Sequence, residues 1–180
     1  MKKSSFNIAF GGMISAVCVV LEFSVGILPL FLYIFPMICA LLMNVLLEEC
    51  GVKTALCAYA GTAVISMILA PDKEAALLFA AFFGYYPIVR AYIMKLNGKV
   101  LRVILKFALF NIAMICSYLL LIKLIGLEAL GFENIWWMWA GLLAGGNFAF
   151  LMFDIMLDRI LIIYNRRFRG KLFGSRRRKK

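Results

Sequence analysis

Five charged residues in otherwise apolar stretches carry most of the chemical information in this sequence. Glu22 stands alone in the run AVCVVLEFSV. Asp154 and Asp158 lie one helical turn apart, with Arg159 beside them, and Arg90 follows the motif FFGYYP. A carboxylate in such surroundings must be solvated, paired or protonated, because an isolated ion in hydrocarbon costs several kcal/mol, roughly. Asp154, Asp158 and Arg90 are therefore expected to pair, as a structural latch or a surface on which a partner docks, with a proton relay as the alternative. Glu22 is expected either to be solvated at an interface or to face a pocket and accept a donor from a solute. Catalysis has little else to draw on. There is no His, no Ser with an evident base, and no HExxH, P-loop or GxGxxG motif, so no catalytic residue, metal site or cofactor is assigned. The five cysteines, Cys18, Cys39, Cys50, Cys57 and Cys116, form no CxxC pair and are expected to be packing residues.

The elements that hold these residues are apolar helices. With 65% hydrophobic and only 16% charged residues in 180, the chain has too little polar surface to cover a water-soluble globule. A helical span takes about 20 apolar residues, so the chain is long enough for about six spans joined by short connections. The basic residues fall in alternate gaps: Lys2 and Lys3; Arg90, Lys95, Lys99, Arg102 and Lys106; and a tail from Arg166 that holds nine of the 20. The intervening gaps, near Gly26–Leu30, Pro71–Glu74 and Glu128–Asn134, contain Lys73 alone. Since translocation of Lys and Arg is disfavoured, the pattern predicts an all-α, polytopic membrane bundle of six transmembrane helices over residues 1–165, with both termini cytoplasmic and a basic cytoplasmic tail over 166–180. The formal charge of +11 then reflects topology and contact with membrane lipid rather than nucleic-acid binding. The first apolar stretch follows Lys2 and Lys3 but has no A-x-A cleavage pattern, and is expected to be a retained span.

The spans are predicted at about Asn7–Val25, Pro29–Leu47, Thr54–Ala70, Ala75–Met94, Val103–Ile125 and Ile135–Tyr164. The third is rich in small residues and is expected to be an interior helix. Pro71 ends it, and the acidic residues that follow suit the start of the next helix. In the fourth, Gly84 and Pro87 predict a kink that places Tyr85 and Tyr86 in or beside the bundle. Gly12 and Ala16 on the first span, and Gly141 and Gly145 on the last, mark faces where another helix can approach closely. Glu22, Tyr33, Trp137 and Asn147 are the polar and aromatic groups assigned to the outer part or middle of the bundle, and they are the candidate lining of a solute pocket; an interfacial aromatic belt would account equally for the tryptophans.

On the strength of AFGGMISAVCVVLEF in the first span, the Pro-containing FPMICALLMNVLLEE in the second, a small-residue third span, six predicted crossings and a basic tail, the chain resembles the substrate-capture S components of energy-coupling-factor transporters. The resemblance covers nearly the whole chain and is mostly architectural. It implies a bacterial plasma-membrane protein, not itself an enzyme, that takes a small-molecule solute such as a vitamin from outside. It also implies that the loop around Ser24–Tyr33 closes over the solute, and that the protein topples when a transmembrane coupling subunit and its ATPase subunits engage it. The family's small-xxx-small contact with the coupling subunit falls at Gly12 and Ala16, where the family usually has two alanines. No vitamin-specific signature is present. A morphogenetic scaffold similar to the rod-shape-determining membrane subunit, with Asp154, Asp158 and the tail as its docking surface, and a stand-alone solute permease are the alternatives. Cysteine-accessibility labelling checks the topology: positions near Asp72 and Glu133 are expected to react from outside, and Lys99 and Ser175 only from inside.

Overall fold

A computed structural model describes residues 3–125, 136–164 and 166, and these are helical nearly throughout. In chain order the helices are α1 (Lys3–Val25), α2 (Ile34–Cys50), α3 (Val52–Leu69), α4 (Lys73–Leu78), α5 (Tyr86–Ile93), α6 (Lys99–Ile125) and α7 (Trp136–Ile163). Among the described residues four stretches are long and apolar enough to cross a membrane: Ser4–Val25, Val52–Leu69, Lys73–Ile93 and Lys99–Leu120. The second predicted span starts later than expected. Pro29–Phe31 forms a separate 3-10 turn, and α2 begins only at Ile34.

Local chemistry sets the boundaries. Gly51, at φ 83°, is the single residue between α2 and α3, and its N–H closes α2 on the Leu47 carbonyl at 3.0 Å. A positive φ of that size favours glycine, which lets two helices turn on one residue. At the other end of α3, the Lys73 ammonium donates to the carbonyls of Met67, Ile68 and Ala70. Asp72 caps α4 by accepting from the N–H groups of Glu74 and Ala75 at 2.9 and 3.2 Å. The acidic turn thus does what its sequence predicts.

The α4–α5 segment carries the expected kink, and its cause is more specific than Pro87 alone. Phe79–Phe83 form a π-helical turn, in which the Gly84 N–H bonds the Phe79 carbonyl at 2.8 Å instead of the Ala80 carbonyl. The freed Ala80 carbonyl accepts from the Tyr59 hydroxyl of α3 at 2.6 Å. Tyr59 reaches it because residue 84 has no side chain: a Cβ there would sit 2.7 Å from Tyr59 Cε2 and 2.9 Å from Phe79 Cζ. Pro87, lacking an N–H, falls in the first turn of α5, where none is needed.

This broken segment, and not α3, is the interior element. α3 leaves Leu56, Val64, Ile65, Ile68 and Leu69 exposed, so the expectation of an interior third helix is corrected. Its small residues serve instead to let α1 approach along one side. The bulk that fills the centre comes from α4–α5, where Phe82 packs against Phe83, Tyr86, Phe110 and Phe150, and Phe83 and Tyr86 against Phe153. Mostly edge-on rings at 4.7–5.9 Å give this core its geometry. Gly84→Ala should lower the melting temperature in detergent by the equivalent of about 1–3 kcal/mol through overpacking. Gly61→Ala, whose Cβ meets nothing within 4 Å, should leave it unchanged.

Candidate functional site

Among the described residues most of the buried and half-buried polar groups fall into three clusters, with Asn44 and Ser117 outside them, and the clusters are placed between two ends of the bundle. Gly26 and Pro71 meet at one end, the Pro71 end. Asn7 and Cys50 meet at the other, on the side of Lys99.

The first cluster joins α5, α6 and α7. Asp154 Oδ1 accepts from Arg90 Nε at 2.6 Å and from the Tyr86 hydroxyl at 2.7 Å, and its Oδ2 accepts from Lys106 Nζ at 2.6 Å. Arg90 Nη2 reaches Asp158 at 2.7 Å. The pairing expected of Arg90, Asp154 and Asp158 is present. It also has two members that the sequence reading did not assign. Tyr86 lies one turn before Arg90 and shares its face. The charge pattern groups Lys106 with the basic connection, yet it is buried on the stripe Lys106, Phe110, Ala113, Ser117, a helical repeat legible in the sequence. Two carboxylates meet one guanidinium and one ammonium, so the formal charges cancel. Every Asp154 oxygen is occupied, which makes the cluster a clasp between helices rather than a proton acceptor in waiting.

The second cluster is a reciprocal amide pair. Asn111 donates to Asn147 at 2.9 Å and Asn147 returns a bond at 3.0 Å, while each also donates to the carbonyl one turn before it. Asn147, a candidate solute ligand, is thus engaged with α6.

The third cluster lies between α1, α2 and α3. α1 and α3 run in register, with Ser15 Oγ donating to the Ala58 carbonyl at 3.4 Å and Gly11 facing Thr54. The same offset brings Glu22 level with Thr62 and Ser66. Glu22 is 0% exposed, and neither of its carboxylate oxygens has a hydrogen-bond partner. The Cys39 thiol beside it is directed at the Cys18 carbonyl, 3.7 Å away. Thr62 and Ser66 are equally buried and equally without partners. Helical hydroxyls usually turn back to the carbonyl four residues earlier, as Ser24, Thr54 and Ser117 do here. Thr62 and Ser66 do not.

The candidate pocket residues are not gathered around one cavity. Glu22 is buried at the α1–α3 interface, Tyr33 is half-exposed with its hydroxyl 3.5 Å from Glu74, Asn147 is on the α6–α7 side, and the Trp137 side chain lies outside the described residues. An open groove of about 400 Å³ does run between α1 and α3, beside Gly11, Gly12, Ser15 and Ala58. Gly12 and Ala16 are exposed along this part of α1, and a Cβ on Gly12 would touch nothing within 4 Å. Among the described residues nothing packs over them. Among the described residues no group of three His, Cys, Asp or Glu is placed to hold a metal ion.

No protein-family model, curated protein or solved structure matches the chain.

The clasp predicts unequal costs. Asp154→Ala strands the Lys106 ammonium and leaves Arg90 with Asp158 alone, and should destabilise the bundle by about 3–5 kcal/mol. Asp158→Ala removes a carboxylate that is 51% exposed and should cost no more than about 1 kcal/mol. Unfolding in mixed micelles measures both.

Proposed function

We propose that this chain is the membrane-embedded capture component of an energy-coupling-factor type uptake transporter for a small water-soluble solute such as a vitamin. In this reading it crosses a bacterial plasma membrane six times with both termini in the cytoplasm. α2, extended by the Pro29–Phe31 turn, and the 28-residue α7 supply two crossings beyond the four apolar stretches. The Pro71 end then faces outward. The chain performs no reaction and needs no cofactor, and its energy comes from ATPase subunits acting through a transmembrane coupling subunit.

The observation that carries the reading is the buried, unpartnered set Glu22, Thr62 and Ser66. Burying polar groups without partners costs roughly 1–3 kcal/mol each, and more for a charge. A solute that supplies the missing partners recovers that cost on binding. The exposed small-residue face at Gly12 and Ala16 supports the second half of the proposal, because a surface left out of internal packing is free to receive a partner helix. A scaffold reading leans on Asp154, Asp158 and the tail as a docking surface, but both aspartates are already paired inside the chain, and the tail past residue 166 lies outside the described residues.

Native mass spectrometry of complexes extracted in mild detergent tests the proposal. A retained small solute together with coupling and ATPase subunits is expected; a retained morphogenesis partner with no solute contradicts it. Gly12→Leu and Ala16→Leu should each abolish co-purification with the coupling subunit while leaving the isolated chain's melting temperature within about 2 °C of the parent, since surface substitutions cost little.

A further inference from the structure

Glu22, Thr62 and Ser66 also specify what kind of group they await, an inference that rests on the capture reading. One carboxylate balances one positive charge. With the hydroxyls of Thr62 and Ser66 it offers three acceptor side chains on two helices, all buried and unpartnered. A primary ammonium has one positive charge and three N–H donors, so it can donate to the carboxylate and to both hydroxyl oxygens while each hydroxyl proton turns back to its own helix's carbonyl four residues earlier. The surrounding charge favours the same sign. Asp72 is within electrostatic reach of Glu22, and Glu74 adds a further carboxylate at the same end. Lys73, the nearby cation in sequence, is spent on the carbonyls that close α3, and Lys123 is exposed on α6. A carboxylate-bearing solute would meet like charge here. A divalent metal would find no cluster of three ligating side chains among the described residues.

We infer that the captured solute carries a primary ammonium group, bound by Glu22 with Thr62 and Ser66 between α1 and α3. Binding requires α1 and α3 to part at the Pro71 end, where Gly26 and Pro71 are packed so closely that a Cβ on Gly26 would lie 2.7 Å from Pro71 Cβ.

The test uses the full chain in lipid nanodiscs, with ethylammonium, sodium and tetramethylammonium chlorides as probes at matched ionic strength. Tetramethylammonium has the charge without N–H donors. Ethylammonium is expected to raise the melting temperature saturably, and the other two are not. Glu22→Gln should weaken ethylammonium binding at least about tenfold, as loss of a charge-assisted hydrogen bond does, and Ser66→Ala by a few-fold. Without ligand, Glu22→Gln should melt no lower than the parent, because it replaces a buried carboxyl group that has no partner; a lower melting temperature would show that Glu22 already has one and would overturn the inference. Ser66→Ala, which keeps the carboxylate, provides the binding comparison if Glu22→Gln fails to fold. An equal shift with sodium, or an ethylammonium shift that survives both substitutions, or no shift at all, also overturns it. A neutral or anionic solute found in the native complex would reject the ammonium while leaving the capture reading intact. Ethylammonium binding in a chain that carries no solute and no ATPase partners would reject the capture reading while leaving the site.

Discussion

A carboxylate that stays charged among apolar helices needs its charge matched, and Asp154 sets this condition for half of the molecule. Its partners come from α5 and α6, so the three helices can pack in one relative rotation and depth. The π turn at Phe79–Phe83 serves the same end. Adding a residue to the helical ladder rotates everything after it by about 100°, and it is past this turn that Tyr86 and Arg90 come to face α7. The turn in turn needs Tyr59 to take its freed carbonyl and a glycine at 84 to admit Tyr59. Ion pair, π turn, tyrosine and glycine form one chain of dependence.

The other half of the bundle is built differently. α1, α2 and α3 meet through small residues, thiols and hydroxyls, and their interior keeps a carboxylate and two hydroxyls with no partner. Asp154 is matched within the chain, whereas Glu22 is left either to be protonated or to be matched by a group from outside the chain. In lipid there is no water to make up the difference. The contrast between a saturated clasp and an unsaturated cluster is the basis for placing structural duty at α5–α7 and solute binding at α1–α3.

Much of this was legible in the sequence, for identifiable reasons. Composition and length led to an all-helical chain with membrane-length apolar stretches, because hydrophobicity is summed over many residues and tolerates local error. Asp154, Asp158 and Arg90 were read together because opposite charges in apolar runs have few other options. Lys106 was obscured by its neighbours Lys99 and Arg102, which lie on the exposed end of α6, and only the helical repeat separates it from them. The interior position was assigned to α3 because small residues permit close approach. Approach on one side does not enclose a helix, and the bulk of Phe79, Phe82, Phe83 and Tyr86 drew α4–α5 inward instead. Asn147 was grouped with Glu22 by depth alone. Depth is readable from sequence, whereas rotation about the helix axis, which turns Asn147 toward Asn111, depends on packing.

A solute-bound structure of the proposed complex with coupling and ATPase subunits tests the account most directly. The account predicts ligand density between α1 and α3 at the Pro71 end, in contact with the Glu22 carboxylate, with the Asp154–Arg90–Lys106 clasp unchanged. Density between Asp154, Asp158 and Arg90 near the opposite end, with none at Glu22, would contradict both the site and the direction of uptake.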